Sequence, residues 1–210
     1  MMKKILIHGS GHKATSWNKT IEYMKNNKNI ECPNLSSILN GKEASYNNLY
    51  SSFIKYCDDI NGKIDLCGLS LGGILALNYT LDFPDKVNSL ILIGTPYKVP
   101  KIMFSIQNMI FRFLPKSIFE NMAFNKKDTF ILGNSMKNLD FSNRVQKIKC
   151  PTLIICGEKD NANIKSANYL YKNIKNAELK IIANTGHIIN EENPRELAKI
   201  LDEYYNKNKF

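Results

Sequence analysis

Short apolar runs that alternate with helical patterns constrain this 210-residue chain most. Residues 87–94 read VNSLILIG and residues 152–157 read TLIICG, and both runs are apolar at successive positions. A strand with one exposed face alternates polar and apolar residues, whereas a parallel strand that is covered on both faces does not. Further strand-like segments are KILI (4–7), IDLCG (64–68) and ELKII (178–182). The sequence therefore predicts an α/β fold, with a mainly parallel sheet and helices on both faces.

Helical patterns fill most of the intervals between these strands. Helices are predicted over residues 15–27, 46–60, 71–81, 164–173 and 194–205, and a weak extended stretch over residues 30–35. Residues 97–143 break the alternation, because Pro100 and Pro115 interrupt helical pieces that are rich in Phe and Met. We expect a small inserted helical cap at 97–143 within a single domain of residues 1–210, and a frayed end at residues 206–210.

Composition argues against several classes of protein. The formal net charge is +10, but the lysines are spread along the chain without a long basic run, so we expect no nucleic-acid partner. No apolar stretch reaches the roughly 20 residues that span a bilayer, so stable membrane insertion is not expected. The five cysteines lack the spacing of a zinc site or a disulfide framework, which favours a cytoplasmic protein. They are Cys32, Cys57, Cys67, Cys150 and Cys156.

The stretch LCGLSLGGILALNY (66–79) places Ser70 between Gly68 and Gly72, after a predicted strand and before a predicted helix. A strand, a tight turn and a helix form the nucleophile elbow of serine hydrolases. A serine hydroxyl becomes a good nucleophile only when a base takes its proton and a third group orients that base. Ser70 is therefore a candidate nucleophile whose partners must lie elsewhere in the chain.

The base can be sought by elimination, because the chain has only three histidines. His8 and His12 flank a glycine-rich loop after the first strand, upstream of the candidate serine. His187 follows the strand ELKII in the segment NTGH, on a loop that could reach the C-terminal edge of the sheet. We assign His187 as the base.

The acid should follow another strand at the same edge. TLIICGEKD places Asp160 three residues after Gly157, whereas Glu158 is nearer the strand and could merely decorate the turn. The strand that ends at Gly94 is followed by TPYK, which has no carboxylate. Asp160 is therefore our choice, with Glu158 as its competitor.

Two backbone N–H groups should stabilise the oxyanion of an acyl-transfer reaction. One belongs to Leu71, the residue after the candidate nucleophile. The second is expected from the loop HGSGHKATSW, most simply from Ser10, because Gly9 and Gly11 let that loop approach the reacting carbonyl.

The chain thus resembles the α/β-hydrolase superfamily, in particular serine hydrolases of the carboxylesterase kind with a short helical cap. The resemblance rests on HGSG (8–11), GLSLGG (68–73), KIKCPTLIICGEKD (147–160) and NTGHIINEENPREL (184–197), in the family order of serine, acid and histidine. It implies a cap inserted after the strand that ends at Gly94. Family members often begin with a two-stranded hairpin that is missing here, so we expect a sheet of about six strands.

The resemblance also implies a class of chemistry. Related haloalkane dehalogenases and epoxide hydrolases have Asp at the elbow, so Ser70 argues against both. We expect a carboxylic ester or thioester of a small, apolar acyl group as substrate, cleaved through an acyl-enzyme with no metal and no cofactor. The alternatives are a lyase or cofactorless haloperoxidase that uses the same residues, and a non-catalytic ligand-binding protein. Candidate pocket residues are the large apolar side chains of the cap: Met103, Phe104, Met109, Phe111, Phe113, Phe119, Met122 and Phe124.

Overall fold

The fold is a six-stranded parallel sheet with helices on both faces, as the sequence predicts. The computed structural model describes residues 2–99, 119 and 122–208. Within them the strands are β1 Lys3–Ile7, β2 Ile30–Glu31, β3 Ile64–Leu69, β4 Val87–Ile93, β5 Thr152–Gly157 and β6 Ala177–Ile182. Their order in the sheet is β2-β1-β3-β4-β5-β6, and every neighbouring pair is parallel.

Successive residues of the central strands point into two separate apolar cores. In β4, Leu90 and Leu92 contribute to one core, while Ile91 and Ile93 contribute to the other. All four side chains are fully buried, which explains why the strand is apolar at successive positions. Burial of this kind is worth about 1.5–3 kcal/mol for each large apolar side chain. The sheet is therefore a rigid platform for the loops at its C-terminal edge.

Helices cover both faces of this platform. The described helices are α1 Asn18–Tyr23, α2 Leu35–Ile38, α3 Tyr46–Asp58, α4 Leu71–Asp82, α5 Lys126–Met136, α6 Ile164–Asn173, α7 Ile189–Glu192 and α8 Pro194–Lys207, with 3-10 turns at Ala14–Trp17 and Val145–Lys147. On the first face lie α3 and α4, with α6 beside β5 and β6, and the second face is covered by α1 and α8. No helix among the described residues is long and apolar enough to cross a membrane.

Three predicted element boundaries are wrong. The helix predicted at 15–27 is a 3-10 turn followed by α1, which ends at Tyr23 because Met24 has an extended backbone (ψ 133°). The extended stretch predicted at 30–35 contains only the two-residue β2, since Asn34 caps α2 by accepting a hydrogen bond from the Ser36 N–H. Of the end predicted to fray at 206–210, residues 206–207 are helical, and the ammonium group of Lys207 pairs with the carboxylate of Glu178, while residues 209–210 lie outside the described residues.

The two ends of the predicted cap lie side by side. Lys98 and Asp140 form an antiparallel bridge, and the Val99 N–H donates to the Leu139 carbonyl at 3.0 Å. The cap prediction for Met103, Phe104, Met109, Phe111 and Phe113 lies outside the described residues. The other three predicted pocket residues are within them: Phe119 and Phe124 are buried and Met122 is half-buried.

Candidate active site

Ser70 occupies the turn between β3 and α4 with a strained backbone. Its φ of 53° and ψ of −112° are unfavourable for a residue with a side chain. The Ser70 N–H donates to the Ile93 carbonyl at 2.9 Å, which ties the turn to β4. Gly72 faces β1 so closely that a Cβ there would overlap the Ile7 carbonyl. The chain therefore holds the Ser70 side chain, which is half-buried, at the C-terminal edge of the sheet.

Asp160 and His187 meet at the same edge. His187 Nδ1–H donates to Asp160 Oδ2 at 2.7 Å, although 27 residues separate them in sequence. Only 3% of the Asp160 side chain is exposed, against 37% of that of His187. This arrangement leaves Nε2 of His187 as the nitrogen that can take a proton from a nucleophile.

Asn163 is a third member of this contact that the sequence reasoning missed. Its Nδ2 lies 3.0 Å from both carboxylate oxygens of Asp160 and 3.2 Å from His187 Nδ1. Because His187 Nδ1 already carries a proton toward Asp160, the Asn163 amide can donate only to the carboxylate. Asn163 is buried and lies one turn beyond Asp160, and the segment KDNAN offers this spacing as its only signal.

These neighbours decide the charge of Asp160. Burial raises the pKa of the carboxyl group, but the hydrogen bond and charge of His187 and the hydrogen bonds of Asn163 lower it by more. The net pKa of Asp160 lies below its ordinary value. Asp160 is therefore ionised at neutral pH and can stabilise an imidazolium at His187.

Glu158, the competing candidate for the acid, lies elsewhere in the loop. Its carboxylate is exposed and accepts a hydrogen bond from the Asn184 N–H at 2.7 Å. Asn184 has a positive φ of 57° in the turn before His187. Glu158 thus supports the conformation of the loop that carries His187, while Asp160 contacts the histidine itself.

The loop after β1 lies against the elbow. A Cβ placed on Gly9 would be 3.6 Å from Ser70 Cβ. Among the described residues, the N–H groups of Ser10 and Leu71 have no hydrogen-bond acceptor, which leaves both free for a ligand oxygen. No hydrogen bond joins Ser70 to His187 in the described residues, and such bonds often tighten only when substrate is bound.

The two other histidines have different surroundings. His8 is fully buried, with Nδ1 2.8 Å from the Gly9 carbonyl and Nε2 3.0 Å from the Leu35 N–H. Burial lowers its pKa to about 4, so it is a neutral structural bridge. His12 has 16% of its side chain exposed, and burial is the main cause that lowers its pKa. Its Nε2 lies 3.9 Å from Glu191 Oε1, whose negative charge opposes this lowering of the His12 pKa.

The comparison of the whole chain with known proteins agrees with this geometry. The sequence profile of the alpha/beta hydrolase family matches residues 5–200. The chain belongs to the alpha/beta hydrolase family. Monoacylglycerol lipase ABHD6 of Mus musculus is 23% identical to this family member, over 95% of the chain and 74% of the lipase.

A second relative and a solved structure agree with that assignment. The 2-hydroxy-6-oxononadienedioate/2-hydroxy-6-oxononatrienedioate hydrolase of Klebsiella pneumoniae is 28% identical, over 87% of this chain and 80% of that enzyme. The structure of MenH from S. aureus superposes with a TM-score of 0.81 and 19% identity, over 99% and 94% of the two chains. The family profile and the sequence relatives support a hydrolase in general terms, and the structural match supports the fold.

Proposed function

We propose that this alpha/beta hydrolase cleaves a carboxylic ester or thioester of a small apolar acyl group through an acyl-enzyme. The observation that carries the proposal is the 2.7 Å hydrogen bond between His187 and the buried Asp160, at the sheet edge where the strained Ser70 is held. A pocket that merely binds a ligand has no need for an ionised carboxylate behind a histidine beside a strained serine.

The mechanism assigns one role to each group. Ser70 Oγ attacks the acyl carbon while His187 Nε2 takes its proton, and the developing oxyanion accepts hydrogen bonds from the Ser10 and Leu71 N–H groups. Collapse of this intermediate breaks the bond to the leaving group, which receives the proton from His187. Water then attacks the acyl carbon while His187 Nε2 takes its proton, and collapse of the second intermediate breaks the bond to Ser70 Oγ, which recovers the proton from His187 as the acid leaves. Asp160 remains ionised throughout and stabilises the imidazolium.

A panel of substrates tests the reaction. Purified protein is incubated with p-nitrophenyl esters of short and medium chain length and with the matching acyl-CoA thioesters, and Ser70→Ala serves as the control. A fluorophosphonate probe followed by intact mass measurement tests Ser70 independently of substrate choice. We expect turnover and a single label that Ser70→Ala abolishes. Absence of both turnover and label refutes the proposal, whereas a label without turnover favours the lyase or haloperoxidase alternative.

The acid assignment has its own matched pair of variants. Asp160→Asn removes the charge behind His187 and should lower kcat by a factor on the order of 10⁴, because the histidine loses its orientation and its counter-charge. Glu158→Gln removes an equal charge two residues away and should leave kcat within about threefold of the wild type. The reverse ranking would transfer the role of acid to Glu158.

The oxidation state of the cysteines bears on the cellular location of the protein. All five cysteines are free thiols, and Cys57, Cys67 and Cys156 are buried. Free thiols persist in a reducing compartment, which supports a cytoplasmic location. A mass measurement with and without a thiol-alkylating reagent, on protein isolated under non-reducing conditions, should count five free thiols.

A further inference from the structure

The short helix α7 follows His187 directly, and its last residue bends back over the histidine loop. Glu192 Oε2 accepts a hydrogen bond from the Gly186 N–H at 2.6 Å, and Oε1 accepts one from the Ile188 N–H at 3.0 Å. His187 lies between these two N–H groups. A single carboxylate therefore holds the backbone on both sides of the candidate base.

The fit between this carboxylate and the loop is close. A Cβ placed on Gly186 would lie 2.9 Å from both carboxylate oxygens of Glu192, so a larger residue at 186 would push the carboxylate away from the loop. Hydrogen bonds from N–H groups to an ionised carboxylate are shorter and stronger than those between neutral groups. The loop is thus held at a fixed place relative to α7.

The same helix turn is bonded to the segment that follows the loop of Ser10. The buried Asn190 donates from Nδ2 to the Ser16 carbonyl at 3.0 Å. The backbone carbonyl of Asn190 accepts a hydrogen bond from Thr20 Oγ1 at 3.3 Å. The helix α7 therefore connects the loop of the candidate base with the segment that continues from the candidate oxyanion loop.

We propose that Glu192 is a positioning residue, which holds His187 at the place where it can exchange a proton with Ser70. This inference rests on the proposed function, because His187 matters only if it is the base. The competing explanation is a structural helix cap, since a glutamate that reaches back to the first N–H of a helix stabilises its start. A cap affects the stability of the fold, whereas a positioning residue affects kcat.

Two neighbouring glutamates provide a matched test. Glu192→Gln and Glu191→Gln each remove one negative charge from α7, but Glu191 is exposed and its carboxylate lies 3.9 Å from His12 Nε2. For Glu192→Gln we expect kcat and the rate of fluorophosphonate labelling to fall on the order of 10- to 100-fold, with KM within about twofold. Glu191→Gln should stay within about twofold of the wild type in all three. An equal loss of kcat and labelling rate in both variants would mean that the loss of one negative charge near the site is the cause, and it would overturn the proposal.

Two NMR measurements test the placement without any substrate. Glu192→Gln should accelerate amide hydrogen exchange at Gly186 and Ile188, and should broaden the resonance of the His187 Nδ1 proton that is bonded to Asp160. Glu191→Gln should do neither. Faster exchange with unchanged kcat and labelling would make Glu192 a helix cap only. If the wild type neither turns over substrate nor takes the label, the proposed function fails. An unchanged His187 resonance in Glu192→Gln would overturn the positioning role, whatever the outcome for the proposed function.

Discussion

The buried imidazole of His8 should make the fold sensitive to mild acid. Its Nε2 accepts a hydrogen bond from the Leu35 N–H, so the proton of the neutral ring lies on Nδ1, which donates to the Gly9 carbonyl. A second proton would face the Leu35 N–H in a fully buried place. Burial is accordingly the largest cause that lowers the His8 pKa from 6.5 to about 4.

The size of the effect follows from that shift. The unfolded imidazole binds a proton below pH 6.5, whereas the folded one does so only below about 4, so stability is full above pH 6.5 and is lost as the pH falls toward 4. Complete titration across the shift lowers the free energy of unfolding by roughly 3 kcal/mol, and at pH 5.0 that free energy is lowered by about 2 kcal/mol. Few carboxyl groups have begun to take up protons at that pH.

Urea unfolding at pH 7.5 and pH 5.0 measures this difference. His8→Gln is the comparison, because the glutamine carbonyl can still accept from Leu35 but has no proton to bind. The variant should be less stable than the wild type at pH 7.5 but should lose about 2 kcal/mol less between the two pH values. His12, whose pKa is also lowered, is present in both proteins, so the difference between them reports on His8. An identical loss in the wild type and the variant would refute the role of His8.

Two further substitutions test the geometry behind the candidate base. Gly94 has a φ of +51°, and a Cβ there would lie 2.9 Å from His187 Nδ1, so Gly94→Ala should lower kcat on the order of 100-fold while the protein remains folded by circular dichroism. Wild-type kcat in that variant would contradict the placement. Asn163→Leu removes the amide that donates to Asp160, and kcat should fall about tenfold with its acid limb moved to higher pH, because the carboxylate loses a bond that lowers its pKa. A pH–rate profile checks this, and an unmoved acid limb would contradict it.

The central strands could be predicted from the sequence because their burial is complete. Residues 90–93 of β4 and 153–156 of β5 are all apolar because both faces of these strands are covered, so the sequence pattern indicates the buried layer directly. Where burial is partial, local chemistry decides instead. The Asn34 cap and the turn at Met24 end their elements through one backbone torsion or one hydrogen bond, which no periodicity reveals.

The candidate site divides in the same way. Ser70, Asp160 and His187 each follow a strand, so the topology of a parallel sheet brings them to one edge and makes them predictable. Asn163 and Glu192 were not predicted, because their local hydrogen bonds, to Asp160 three residues away and to Gly186 six residues away, have no distinctive residue pattern. A carboxylate that bonds backbone N–H groups has no sequence signature apart from its spacing from the residue that it holds.

The strained backbone torsion of Ser70 should lower the stability of the folded protein. The positive φ of this turn falls at Ser70 and not at Gly72, which is needed instead for the close approach of α4 to β1. Such a torsion costs on the order of 1–3 kcal/mol for a residue with a Cβ and much less for glycine. Ser70→Gly should therefore be more stable to urea than Ser70→Ala by about 1 kcal/mol, after the larger entropy of an unfolded glycine is subtracted. Both variants lack the nucleophile, so neither should take the fluorophosphonate label. If the alanine variant is the more stable of the two, the backbone of Ser70 is relaxed, and the elbow is held by helix packing alone.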